Sequence, residues 1–233
     1  MRRILKYMKI VCLSSGSIGN CFFLKNEKGR FIILDCGVKM STITGNDHFT
    51  GFSDIDFVFC SHVHTDHSKS LNELELAGCK TITYKTLEEK PQRFEIGDWQ
   101  ILTFPCQHNV PNWGIVVKDI NTGEKFCYAT DFSKMPMLEG VDHWLYEINY
   151  DTSTVNEILF SDNFELLNLG FKYHNGLDNA VEYFSKIKTK PKSITICHLS
   201  KNNANKQNIV NTMKQFCDDV KIAKREKSNE SRW

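Results

Sequence analysis

The sequence predicts an α/β fold. Short runs of β-branched and aromatic residues are bounded by Gly, Asn, Ser and Asp, the composition of strands and turns. Two later stretches carry apolar residues at helical spacing. Histidine and aspartate recur just beyond the apolar runs, which places reactive side chains at strand ends.

Residues 10–13, 21–24 and 31–34 read as strands, separated by Ser-Ser-Gly-Ser-Ile-Gly-Asn and Asn-Glu-Lys-Gly turns, and so open an antiparallel meander. The first turn reads either as a plain hairpin connection or as a backbone-amide nest that helps hold an anion. Asp35 ends the third strand, either as a turn carboxylate or as a partner to a histidine. Residues 38–53 suggest a mobile loop flanking the site, with His48 as a surface histidine. Residues 57–60 are too short and too aromatic for a buried helix and read as a core strand. Beyond the cluster that follows, Leu71 and Leu74 before Gly78 indicate a short helix.

Further strands are expected at 81–84, 99–104, 114–118, 125–129, 144–148 and 193–197, with Asn-Thr-Gly-Glu at 121–124 as a hairpin turn. Leu177, Ala180, Val181, Phe184 and Ile187 mark one apolar face of a helix. Ile209, Met213, Phe216 and Val220 mark a last one. The expected division is a leader at 1–7, one domain at 8–220 and a charged, solvated tail at 221–233.

A chain of 233 residues that is 41% hydrophobic can bury one large core. The 29 basic and 28 acidic residues create no global field for a polyanion, so any nucleic-acid binding must use a local patch. Nine cysteines, odd in number and scattered through apolar runs, read as thiols of a reducing cytosol rather than as a disulfide framework. The basic N-terminus leads into no signal-like apolar region, and no run approaches a membrane span, so a cytoplasmic location is expected.

The chemistry concentrates at Ser-His-Val-His-Thr-Asp-His, residues 61–67. His62 and His64, two apart, can converge on one metal from an extended segment, while Asp66 and His67 lie past the bend and can face a second. Imidazole and carboxylate ligands suit zinc, with manganese or iron as alternatives. Chance clustering on a polar turn is disfavoured, because such turns are built from Gly, Asn and Ser.

This His-x-His-x-Asp-His pattern resembles the metallo-β-lactamase superfamily. The resemblance implies a four-layer αββα sandwich and adds His108, Asp131 and His198, each after an apolar run. It implies that His62, His64 and His108 hold one divalent ion, that Asp66, His67 and His198 hold a second, and that Asp131 bridges them. His174 would be a general acid, with a helix-capping histidine as its structural alternative, and Asp66 and His174 are the catalytic candidates. Residues 14–21, Asp-Cys-Gly at 35–37, Glu-Ile-Asn-Tyr-Asp at 147–151 and His-Leu-Ser-Lys-Asn-Asn at 198–203 are similar to WalJ/YycJ-type bacterial metallohydrolases. That likeness implies a DNA exonuclease. A hydrolase of small or cyclic nucleotides is the alternative, favoured by the near-neutral charge, and a non-catalytic metal-binding regulator is a third reading. The 23 residues from His108 to Asp131 and the 67 from Asp131 to His198 leave no room for an inserted nuclease domain or a long exosite arm.

Overall fold

The structure, a computed structural model, describes residues 8–155 and 171–226. Two sheets pack face to face. The first has five strands in the order β1 (Lys9–Ser14), β2 (Cys21–Lys25), β3 (Phe31–Cys36), β4 (Ile55–Cys60) and β5 (Thr81–Thr83). The second has seven, in the order β12 (Val220–Ile222), β11 (Ser193–Cys197), β10 (His143–Glu147), β9 (Lys125–Ala129), β8 (Asn112–Asp119), β7 (Trp99–Cys106) and β6 (Gln92–Ile96).

Side-chain alternation builds the layers, because successive residues of a strand face opposite sides. Phe22, Leu24, Ile32, Leu34, Phe57 and Phe59 point inward against Trp99, Ile101, Ile115, Val117 and Tyr128 of the second sheet. Their neighbours Phe23, Ile33 and Val58 point outward, under Ile43 of α1 (Met40–Thr44) and under Leu71 and Leu74 of α3 (Leu71–Leu76). On the far side, Trp144, Tyr146, Ile194 and Ile196 are covered by helices α5 (Leu177–Ser185) and α6 (Lys206–Met213). The result is the αββα sandwich. The short helices α2 (Thr65–Ser68) and α4 (Thr152–Val155) complete the set described.

Several elements differ from the sequence reading. The antiparallel meander expected at the start holds for β1–β3 only, and both sheets are mixed. β3–β4–β5 and β9–β10–β11–β12 run parallel, because helices or long connections carry the chain back between them. Val220 opens β12 instead of ending the last helix, and Lys221 and Ile222 pair with β11, so this part of the tail is not free. Glu226 is also held, by Lys9 at 3.4 Å and His48 at 2.7 Å. The 38–53 segment contains α1; its start, Val38, lies beside the metal-ligand stretch and accepts from the Ser70 hydroxyl at 2.6 Å, while its far part runs away from the site. His48 accepts from Lys25 through its carbonyl, and Lys25 pairs with Lys9 at the opposite end of the strands. Residues 1–7 and 227–233 lie outside the described residues.

Gly37 fixes the approach of β3 to α2. A Cβ there would lie 1.6 Å from the Asp66 carbonyl oxygen, which is backbone and cannot yield. Gly37→Ala should therefore separate these segments and lower the melting temperature by several degrees or more, since about 1 kcal/mol shifts a domain of this size by ~2–4 °C. A thermal melt within a degree of the parent would contradict that packing.

Candidate metal centre

The site lies beyond the C-terminal ends of β3, β4, β7, β9, β10 and β11, where an open α/β sheet leaves its crevice. Among the described residues only Asp35, Asp131 and His198 combine a non-glycine side chain with positive φ, at 55°, 51° and 52°. All three sit at strand ends in this site. Such backbone costs roughly 1–2 kcal/mol per residue and persists where its surroundings over-determine it.

The residues singled out in the sequence come together. His62 Nε2 is 3.0 Å from His64 Nδ1, and His108 Nε2 is 3.4 Å from the same atom. His67 Nε2 is 3.3 Å from Asp66 Oδ2 and 3.4 Å from Asp131 Oδ2. His198 approaches Asp131 at 3.4 Å and Asp66 at 3.8 Å. Among the described residues three groups of donor atoms lie within 4.8 Å throughout: His62, His64, His108 and Asp131; Asp66, His67, Asp131 and His198; and Asp131, Glu147, His174 and His198, the last with the Glu147 carboxylate already paired to His174 at 2.6 Å. Asp131 belongs to all three.

The imidazoles are oriented from behind. Buried Asp35 accepts from the Ser61 amide at 2.7 Å and its hydroxyl at 2.9 Å, from His67 Nδ1 at 2.6 Å and from the Tyr128 hydroxyl at 2.6 Å. The Ser61 oxygen in turn accepts from His62 Nδ1 at 2.9 Å. The Tyr173 carbonyl accepts from His108 Nδ1 at 3.1 Å. Those partners leave Nε2 of His62, His67 and His108 to face the cluster, so Asp35 is a partner to histidine rather than a turn carboxylate. Asp35→Asn should keep the backbone, since Asn tolerates positive φ. It should weaken zinc binding about 10–100-fold in a competitive chelator titration. Unchanged affinity would deny Asp35 this role.

A cation fits this donor set. His62 Nε2 and His64 Nδ1 converge to 3.0 Å beside His108 Nε2, and His198 Nε2 is buried without a hydrogen-bond partner. Charge points the same way. Burial pushes the His67 and His198 pKa values down, but Asp131 and the neighbouring carboxylates outweigh it, holding His67 well above the usual imidazole range and His198 at about 10. Burial pushes Asp131 up, and His198 and His67 pull it well below the carboxylate range. The site is thus arranged to hold positive charge beside Asp131. By contrast His62, buried beside His67, lies well below its ordinary value.

His174 is placed differently. Its Nδ1 donates to Glu147 Oε1 at 2.6 Å, and its ring stacks on His198 at 5.3 Å. Burial is the largest single influence and lowers its pKa, but the charge and hydrogen bond of Glu147 together with the Asp131 charge outweigh it, for a net increase. Gly176, not His174, caps α5. Glu147 also accepts from the Phe132 amide at 3.0 Å. The sequence reading noted Glu147 without giving it a role, and it missed Ser61, Tyr128 and Asn20. The Asn20 amide lies 3.0 Å from His67 Nε2, and Ser15 Oγ accepts from the His198 amide at 2.9 Å. The 14–21 loop therefore both joins a hairpin and reaches the site.

Residues 30–198 match the family model described as β-lactamase superfamily domain, so the chain belongs to that superfamily. This is the metallo-β-lactamase fold, here with the site of a metal-dependent hydrolase. The metallo-β-lactamase fold protein YhfI from Bacillus subtilis superposes with a TM-score of 0.69 at 17% identity, over 95% of this chain and 98% of that one. The short form of human tRNase Z gives 0.60 at 15% identity, over 93% and 96%. Unliganded yeast PDE1 gives 0.62 at 10% identity, over 94% and 98%. No curated protein matches the chain in sequence. Among the described residues no helix is long and apolar enough to cross a membrane.

Proposed function

We propose that the protein is a dinuclear metal-dependent phosphodiesterase that acts on nucleic acid, as a DNA exonuclease of the WalJ/YycJ type. The observation that carries the reading is the pair of donor clusters sharing Asp131. His62, His64 and His108 would hold one ion, Asp66, His67 and His198 the other, and Asp131 both. Zinc suits the nitrogen-rich set, with manganese as alternative. Paired divalent ions supply Lewis acidity and a water activated near neutral pH.

The chain's own groups supply the rest. Asp35 fixes the tautomers of His67 and, through Ser61, of His62. Glu147 holds the Nδ1 proton of His174, so Nε2 is the nitrogen that delivers a proton to the leaving oxygen. Human tRNase Z and yeast PDE1, of the same fold, act on phosphodiesters, which supports this substrate class.

For DNA speak the 14–21 and 198–203 motifs and the exposed Lys201 and Lys206 beyond His198. For a small or cyclic nucleotide speaks the near-zero net charge. A salt series on metal-loaded protein separates the two. A DNA enzyme should lose duplex binding with a slope near −0.9 per neutralised phosphate, because each contact releases a counterion. Salt-insensitive turnover of a cyclic nucleotide with no cleavage of DNA would replace this reading with the second. The nine unpaired cysteines, eight of them buried, support a reducing, cytoplasmic setting.

A further inference from the structure

An open groove of about 340 Å³ lies on the outer face of β6, β7, β8 and β9, walled on one side by residues 137–141, and among the described residues no helix lines it. Strand register sorts its floor into two rows. Arg93, Leu102 and Val116 stand side by side, and two residues along Gln100, Lys118 and Lys125 do the same. Their neighbours Trp99, Ile101, Ile115 and Val117 point into the core, so by alternation these side chains face out. The wall is fixed, because the Leu138 amide donates to the Tyr183 hydroxyl at 3.0 Å and that hydroxyl donates to the Pro136 carbonyl at 3.0 Å.

Charge and apolar surface meet here. Lys118 and Lys125 are half-buried and directly opposite each other, a like-charge pair that costs a sheet stability. Among the described residues neither side chain makes an ion pair or hydrogen bond, and nor does that of Arg93. The carboxylates on this face are engaged elsewhere: Glu139 accepts from the Lys188 amide at 3.2 Å and Glu95 from the Gln100 side chain at 3.0 Å. Leu102 and Val116 are only half-buried, and Met137 on the wall is 45% exposed. An occupant that answers all of this brings both carboxylates and apolar side chains. The rows are about 7 Å apart and the four strands span about 14 Å, the length of four or five extended residues. No aromatic ring lines the groove among the described residues, so a nucleic-acid strand would find cations but no stacking platform. A peptide uses both surfaces.

We propose that this groove docks an acidic segment of a partner protein that also carries apolar side chains, its carboxylates on Arg93, Lys118 and Lys125 and its apolar groups on Leu102, Val116 and Met137. The groove shares no residue with the metal centre, and its role does not rest on the phosphodiesterase reading.

The test selects random peptides displayed on phage against the full chain and, in parallel, against Lys118→Glu. That variant sets opposite charges across β8 and β9, so its melting temperature should rise by about 1–4 °C and lost binding cannot be put down to unfolding. Selection on the parent should enrich peptides that combine Asp or Glu with Leu, Ile or Phe. Synthesised with a fluorescent label, these should bind the parent in a polarisation titration, more weakly as salt rises. Lys118→Glu should weaken them roughly tenfold or more through like-charge repulsion, and Met137→Asp, at an exposed position, should do the same. Labelled oligothymidylate is titrated alongside. Oligothymidylate that binds the parent and loses its affinity in Lys118→Glu, with no acidic peptide enriched, would give the groove to nucleic acid and overturn the proposal. Selection that enriches no acidic, apolar peptide, or peptides that bind Lys118→Glu as tightly as the parent, would overturn it as well.

Discussion

Asp131→Ala should abolish phosphodiester hydrolysis and leave a folded chain. Asp131 is the one side chain common to both donor clusters, it is 3% exposed, and it lies within 3.7 Å of His62, 3.4 Å of His67 and 3.4 Å of His198. Without it the clusters lose the carboxylate they share, and the imidazoles lose the negative charge that favours a cation beside them. Loss of one preorganised electrostatic partner typically lowers a rate by about 10²–10³, and a shared ligand should exceed that. The alanine also inherits a φ of 51°, which costs about 1 kcal/mol. Asp131→Asn separates the effects, because Asn accepts that backbone and keeps the shape while removing the charge. Both variants should show a cooperative melt and no turnover. Near-parental turnover in Asp131→Asn would remove Asp131 from the catalytic account.

The second large effect is on His174. His174→Ala should retain metal and lose about 10²–10⁴-fold in rate on substrates with poor leaving groups, the range for a general acid. On a p-nitrophenyl ester the loss should be far smaller, since nitrophenolate departs without a proton. The structure motivates the difference: His174 is absent from the two clusters that hold His62, His64, His67 and His108, and in the third its Nδ1 is taken up by Glu147 at 2.6 Å. Steady-state kinetics on both substrates, with metal content measured in parallel, decide the point. Equal losses on both, or loss of metal, would make His174 structural.

The first ligand cluster could be read from the sequence because its four residues are nearly contiguous after an apolar strand. His108, Asp131 and His198 came from the family resemblance, which implies two further histidines and an aspartate, and each was then found after an apolar run. Glu147 was harder to assign, since a strand-end glutamate has no local mark, and only the return of the chain through residues 171–176 brings His174 to it. The strand β6 escaped because Arg93 and Glu95 leave it without an apolar run, as befits an exposed edge. Val220 kept helical spacing with Ile209, Met213 and Phe216, so the sequence carried the helix too far. Parallel against antiparallel pairing was not decidable locally, because both orders use the same apolar residues and differ only in the connections. Asp35 and Asn20 stood in motifs that the sequence reading noted, but their partners lie 32 and 47 positions away at His67.

The most direct test of the account counts the ions. Purified protein is stripped with chelator, reconstituted with zinc or manganese, and analysed by elemental mass spectrometry and by calorimetric titration. Two clusters sharing Asp131 predict about two equivalents per chain, falling in Asp131→Asn. One ion or none after reconstitution, with the protein folded, would contradict a dinuclear centre.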